Sequence, residues 1–492
     1  MEIPDLTPFE RKVWNAFPYG RDAEPPGAGD DDAVEHGHSW GPERSVRAEV
    51  IRKLLLSGQS ADGEIASLRL AGVRITGRLD LRHATVPYAI RFWNCSFDQA
   101  PNLYALRIRQ LNFSRCHLPG LDAATIRVDG VLRITGSRIP GPIRLGGAQI
   151  SGAFFLDNAD LGEQSPDQAE RDPLLQLNHA TINDDVWAPG LKVRGQIRLA
   201  GATVTGMVNL DNADLSEPGR TVIDAETLTV GSNLVAWRLH AKGTINLRAA
   251  KIPGQLNLGE AHLSNPRGVA LRASSATIGE LWLGDAAPID GSVNLRGSQV
   301  GLIHAAPEVW PAHVELDGLT YTSLNPRLNA SQRLDVLERD DDGYVPHAYE
   351  QLAVAYRRIG DDAQARTVQL AKQRRHRTTL SLYAKLWGLV QDATVGYGYR
   401  PTRAMAWLLG LLLVGTVAYG VHHPQPVEPG KAPAFNALVY TLDLLLPIID
   451  FGQEKAFNPH GGYQWLAYLL IAAGWILATT VVAGITRAVN RQ

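Results

Sequence analysis

Gly195–Thr205 reads GQIRLAGATVT, and the stretch that follows, Gly206–Ser216, reads GMVNLDNADLS. Both open on Gly and then place an apolar-x-apolar pair, Ile197 and Leu199 in the first. A small residue such as Ala202 and another apolar one such as Val204 complete the unit. The same eleven-residue unit returns as GPIRLGGAQIS from Gly141, GAFFLDNADLG from Gly152, GTINLRAAKIP from Gly243, GQLNLGEAHLS from Gly254 and GSVNLRGSQVG from Gly291. Period-two alternation interrupted at regular corners is strand patterning.

Runs this short cannot bury a face alone, so each must stack on its own copies, the backbone pairing with the turns above and below. The fold class predicted is therefore mainly β, a parallel β-solenoid. Two units give a coil of about 22 residues, so residues 65–325 make roughly a dozen coils, a rod about 55 Å long at the usual strand spacing. A helical repeat conflicts with Gly at every eleventh position and with the dominance of β-branched residues at the apolar positions. Glu163 to Pro173 and Ser216 to Arg220 break the count with polar, Pro-bearing and Gly-bearing residues, as loops leaving a corner do.

The triplets Ala159-Asp160-Leu161, Ala213-Asp214-Leu215 and Ala261-His262-Leu263 resemble the pentapeptide-repeat family, a right-handed β-helix whose faces each turn a small and then a bulky apolar residue inward. The spacing here is nearer five and a half residues per face, which leaves a square or a triangular cross-section open. Cys95 and Cys116 occupy the same small inward slot one coil apart and are read as stacked thiols rather than a redox pair.

Both solenoid ends need covering. Residues 1–64 are predicted to form a helical cap, with helices over Pro8 to Phe17 and Arg47 to Leu56, the second carrying the stripe Val50, Ile51, Leu54 and Leu55. Between them, His36 and His38 lie near Asp30, Asp31 and Asp32 in an acidic, Gly- and Pro-rich loop, read as solvated rather than metal-binding. Residues 326–400 form a helical hairpin and basic connector: Tyr349, Leu352, Ala353 and Tyr356 make one helix face, Gly360 a break, and Ala363, Ala365, Val368, Leu370 and Ala371 a second, like a single tetratricopeptide-type hairpin.

Residues 401–492 form a two-span membrane hairpin. Ala404 to Val421 and Trp465 to Ile485 carry no charged residue and meet the roughly 20 residues a bilayer requires. Lys372, Arg374, Arg375, Arg377, Lys385, Arg400 and Arg403 precede the first span, and Arg487 and Arg491 follow the second, whereas the connecting loop holds only Lys431 and Lys455. The positive-inside rule therefore places both termini and the solenoid on the cytoplasmic side of the plasma (inner) membrane. The first thirty residues show no signal peptide.

Thr394-Val395-Gly396-Tyr397-Gly398 spells a potassium-channel filter, but it precedes the first span instead of following a pore helix and reads as a turn into Pro401. The loop Phe435 to Phe451 is apolar enough to dip into the interface, where a two-span channel has its pore helix. Asp443 and Asp450 within it are read as lying at headgroup level rather than along a cation path.

The start, MEIPDLTPFERKVWNAFPYGRDAE, and the segments YTLDLLLPIIDFGQEKAFNP and WILATTVVAGITRAV resemble an actinobacterial family labelled membrane-associated oxidoreductase. That resemblance implies membrane association and a redox activity. No residue here carries a catalytic role from it, because no strand, Gly-rich turn and helix form a dinucleotide site and no paired-Cys metal spacing occurs.

The whole chain, 492 residues with 48 Lys plus Arg against 50 Asp plus Glu and 2 Cys, excludes a disulfide scaffold and a uniformly basic nucleic-acid binder. The charge is unevenly placed. Residues 65–150 hold 12 Lys plus Arg against 4 Asp plus Glu, and residues 151–325 hold 12 against 20. Arg69, Arg74, Arg78, Arg82, Arg107, Arg109, Arg127, Arg133, Arg138 and Arg144 thus form a candidate surface for anionic lipid, an acidic partner or the acidic part of another copy. The function expected is a non-enzymatic, membrane-anchored solenoid scaffold with no cofactor and no metal. Its expected partners are membrane lipid, a protein or a second copy, and no nucleic acid. A channel-like two-span oligomer and the oxidoreductase of the family label are the alternatives.

Overall fold

The structure is a computed structural model that describes residues 6–25, 34–163, 172–395, 401–428, 430–446 and 449–489. The chain divides into two compact units, Met1–Gln351 and Leu352–Gln492.

The first unit is a parallel β-solenoid. In the coil that starts at Leu121, short strands at Leu121–Asp122, Arg127–Val128, Leu132–Arg133 and Arg138–Ile139 each pair with the strand of the next coil, at Ile143, Gln149, Phe154 and Asp160. Four ladders per coil make the cross-section four-sided. The inward positions of one face run in register from Leu68 through Ile90, Leu111, Leu132, Phe154, Val186, Val208, Leu234, Leu256, Leu281 and Ile303 to Leu324. The neighbouring face stacks β-branched residues, Val128, Ile150, Ile182, Val204 and Val230 among them. Ile197, Leu199, Ala202 and Val204 are all buried, as the eleven-residue reading requires.

Each unit has two corners with different demands. At one, Gly is required by proximity: a Cβ on Gly141 would lie 2.2 Å from the Pro119 carbonyl oxygen, and one on Gly279 would lie 2.2 Å from that of Pro253. At the other, the backbone turns left-handed, and Asn158, His179, Asn212, Arg238 and Glu260 sit there at φ of 53–56° as well as Gly201 and Gly297. The strain is offset by rung hydrogen bonds, such as His179 N to Ala200 O at 3.0 Å and Arg238 N to Gly259 O at 2.9 Å. The sequence reading anticipated the first corner and not the second. Ser216 to Arg220 leaves a corner as an excursion within the strand Asp214–Asp224, where the ladder register shifts; most of Glu163 to Pro173 lies outside the described residues.

Helix α1 (Pro8–Ala16) and helix α2 (Ala48–Ser57) cover the first coil, and Val50, Ile51, Leu54 and Leu55 are buried as predicted. Directly before α2, strand β1 (Ser45–Arg47) pairs with Arg74–Thr76, so the cap donates a rung of its own. Glu10 joins the two. Its carboxylate accepts from Thr7 N in a capping box, from Arg47 N at 3.0 Å and from the Arg47 guanidinium at 2.7 Å. At the far end, α3 (Ala330–Glu338) is followed by Asp340, which bridges to Val314 and accepts from Leu316 N at 2.9 Å.

Helix α4 (Pro346–Arg358) and helix α5 (Asp362–Thr378) are separated by a break at Gly360, φ 78°. The basic connector is itself helical, as α6 (Leu382–Val395). Then come α7 (Pro401–Val421), α8 (Ala437–Leu445) and α9 (Gly462–Val489). The expectation of two spans is met by one helix: among the described residues Arg403–Val421 alone is long and apolar enough to cross a membrane. In α9 the side chains are described only as far as Leu477, and the apolar stretch Gly462–Leu477 is shorter than a span.

Candidate interaction surfaces

Outward positions on successive coils stand about 4.8 Å apart, so a charge on one rung meets whatever the next rung presents. This sorts the ten candidate arginines. Arg74 donates to both Asp98 oxygens at 2.8 and 3.0 Å. Arg69 pairs with Asp22 and Arg82 with Asp80 at 2.9 Å, Arg138 with Glu35 at 2.5 Å, and Arg144 with Asp172 at 3.0 Å. Arg133 lies 4.0 Å above the Phe155 ring. Arg78, Arg107, Arg109 and Arg127 are exposed and make no ion pair among the described residues. Arg107 and Arg127 are also in direct register on adjacent rungs. Like charges held at the rung spacing repel by up to about 1 kcal/mol in water.

The same region holds two arginines that the sequence reading did not single out. Arg91 and Arg115 each sit 5.3 Å from the centre of the Trp93 ring, with Trp93 on the rung between Ala71 and Ser114. Only the register brings them together. Farther along, several acids are paired from rung to rung: Asp224 with Arg198, Glu260 with Arg238, Glu226 with Arg248 and Asp160 with Arg194.

Other candidates take structural places. Glu35 engages Arg138, and the backbone at Gly37 is so close to Ser96 that an added Cβ would lie 2.3 Å from its side chain. Val34–Ser39 is thus packed against the solenoid, while Asp30, Asp31 and Asp32 lie outside the described residues. Among the described residues no three His, Cys, Asp or Glu side chains are grouped to hold a metal ion. Cys95 and Cys116 are buried, and their thiols donate to the carbonyls of Trp93 and Ser114 at 3.3 Å. Burial, with Cys95 beside it, pushes the Cys116 thiol well above its ordinary range.

In the second unit α8 packs against both α7 and α9. Two glycines permit this. A Cβ on Gly415 would lie 2.3 Å from the Thr441 methyl, and one on Gly474 would lie 2.3 Å from the Leu445 carbonyl oxygen. Tyr419, Tyr440 and Phe457 fill the junction, and Tyr419 donates to Tyr463 O at 2.9 Å. Buried Asp443 accepts from the amides of Phe451, Gln453 and Glu454 at 2.8, 2.8 and 2.7 Å. Asp450 accepts from Gly452 N at 2.8 Å and pairs with Lys455 at 2.5 Å. Both carboxylates hold the loop after α8, an arrangement that the spacing in the sequence did not reveal.

Of the membrane-proximal cations, Arg374, Arg377 and Arg403 converge on Asp392 of α6. Arg374 meets its two oxygens at 2.9 Å each, Arg377 reaches one at 3.5 Å, and Arg403 donates to the Asp392 carbonyl at 3.2 Å. Burial alone would raise the Asp392 carboxyl; the three guanidiniums outweigh it and hold it below the usual range. Lys372 and Arg375 lie on the same helix, α5, and Arg400, with most of the filter-like string, lies outside the described residues.

Compared with protein-family models, with curated proteins and with solved structures, the chain matches none. The resemblances to pentapeptide-repeat proteins and to a membrane-associated oxidoreductase family therefore gain no relative in support.

Proposed function

We infer that this chain is a membrane-anchored β-solenoid scaffold. It works without a cofactor and turns the arginine face of its first coils toward an acidic partner. The observation that carries this reading is the set Arg78, Arg107, Arg109 and Arg127, exposed without ion pairs, with Arg107 and Arg127 repelling each other in register. An arrangement that costs free energy in the isolated protein is relieved when an anionic surface docks on it. The anchor is α7 together with α9 as a second span, and the excess of Lys and Arg before α7 favours the cytoplasmic side for the solenoid.

A photo-crosslinking amino acid at Arg109 in the full-length protein, in its own membrane, tests the surface. Discrete adducts are expected that disappear when Arg107 and Arg127 are changed to Glu. Adducts that survive the reversal, or none at all, contradict the reading.

A channel-like oligomer is the second reading, favoured by the way α8 wedges between two long helices. Its test is conductance of the reconstituted protein, which the scaffold reading expects to be absent.

A further inference from the structure

Arg107, Arg127, Gln149 and Thr181 follow one another in register down one outward column of the solenoid. At the corner beside it, Arg109, Gly130, Gly152 and Asp184 take one equivalent place, each two residues before the inward Leu111, Leu132, Phe154 and Val186. Arg109 and Asp184 thus lie three rungs apart, about 14 Å along the rod. Arg107, Arg109, Arg127 and Asp184 are all exposed, and among the described residues none of the four side chains makes a hydrogen bond or an ion pair. Charge of both signs therefore stands unspent on one short edge.

Exposed Asp129, next to Arg127 on its rung, offsets one of the three arginines. Asp185 spends one oxygen on the Met207 amide at 2.7 Å and adds a second carboxylate beside Asp184. Between the two groups the corner place is held by Gly130 and Gly152, which send no side chain outward. A twofold axis crossing the rod between those glycine rungs exchanges the rung of Arg109 with the rung of Asp184, because the two are equally far from it. An isologous contact about such an axis makes each pairing twice and closes on itself.

We propose that the acidic partner of this arginine face is a second copy of the chain, lying antiparallel along the corner. Arg107 and Arg109 of each copy then face Asp184 and Asp185 of the other, and the bare turns at Gly130 and Gly152 let the backbones approach. The pairing relieves the repulsion between Arg107 and Arg127 without a third molecule, and it is reversible and screened by salt. The proposal deepens the reading of this face as one for an acidic partner and rests on it.

Full-length protein in its own membrane tests the geometry by disulfide trapping under mild oxidation. Within one chain, cysteines at 109 and 184 are too far apart to bond, since a disulfide needs Cα atoms within about 7 Å. R109C/D184C should therefore give a product of twice the chain mass, whereas R109C alone and D184C alone should not. Trapping of R109C with itself would mark a parallel pair and overturn the arrangement, as would no product from the double variant. Charge reversal tests the cause. In purified full-length protein at low salt, R109D and D184R should each weaken dimerisation about tenfold, and R109D/D184R should restore it; single variants that dimerise like the wild type, or a double variant that stays monomeric, overturn the proposal. Because neither side chain has a partner within the chain, both single variants should melt as the wild type does. The photo-adduct at Arg109 separates the two levels: a product at twice the chain mass supports the second copy, an adduct with a different protein or with lipid overturns it while leaving an acidic partner for the face, and no adduct at all removes both.

Discussion

A Cβ at Gly279 would meet two backbone oxygens, of Pro253 at 2.2 Å and Gly254 at 2.6 Å, and neither belongs to a movable side chain. Gly279→Ala should therefore destabilise the solenoid by about 1–3 kcal/mol through forced separation of neighbouring coils. Gly297 is the contrasting case: it sits at φ 67°, and the nearest atom to an added Cβ is Ser275 Oγ at 3.7 Å. Because asparagine already fills that corner at 158 and 212, Gly297→Asn should cost less than about 1 kcal/mol. Denaturant melts of the two variants check the pair, and equal losses would show that the two corners are not distinct. The proximity corner was legible because Gly recurs there often enough to give the period, although Asp184 and Ser232 take the equivalent place on two coils. The left-handed corner was not, because Asn, His, Arg, Thr and Ala all occupy it and leave no single residue type to count.

Glu10 ties α1 to β1, and its charge depends on that tie. Burial alone would raise its carboxyl, but the Arg47 guanidinium and the amides of Thr7 and Arg47 hold it below the ordinary 4.5. A lowered carboxylate contributes stability that is complete above its unfolded value and is lost as pH falls through the folded one. Amide exchange in α1, corrected for intrinsic rate, should thus accelerate as pH drops below about 4.5. Glu10→Gln should flatten that dependence while weakening the cap by roughly 1.5–3 kcal/mol at neutral pH. The loop after α8 poses a parallel question. Asp443→Ala should speed exchange at Phe451, Gln453 and Glu454, the three amides it now serves; unchanged exchange would contradict that role. The helices themselves were readable from period and apolarity, but Asp443 finds its partners eight to eleven residues on. A folded loop, not a spacing rule, creates that arrangement.

Across the molecule, net charge follows the register. The sequence shows an arginine-rich first part and an acid-rich remainder, and from counts alone any arginine is as good a candidate as another. Stacking decides which are neutralised, because it sets Glu226 against Arg248 and Asp98 against Arg74 while leaving Arg107 against Arg127. Changing Arg127 to Gln should therefore stabilise the isolated protein slightly, by up to about 1 kcal/mol at low salt, and weaken any partner adduct formed through Arg109. A loss of stability would contradict the repulsion on which the surface rests.

As a scaffold, the solenoid must be held to a membrane with its arginine face in the cytoplasm. Cys95 and Cys116 are 0% and 1% exposed, so a cysteine placed at Arg109 should be the thiol that reacts under native conditions. Labelling R109C with a membrane-impermeant maleimide is expected in inverted inner-membrane vesicles that keep the protein through carbonate washing, and not in intact spheroplasts. Labelling in spheroplasts, or release of the protein by carbonate, would contradict it.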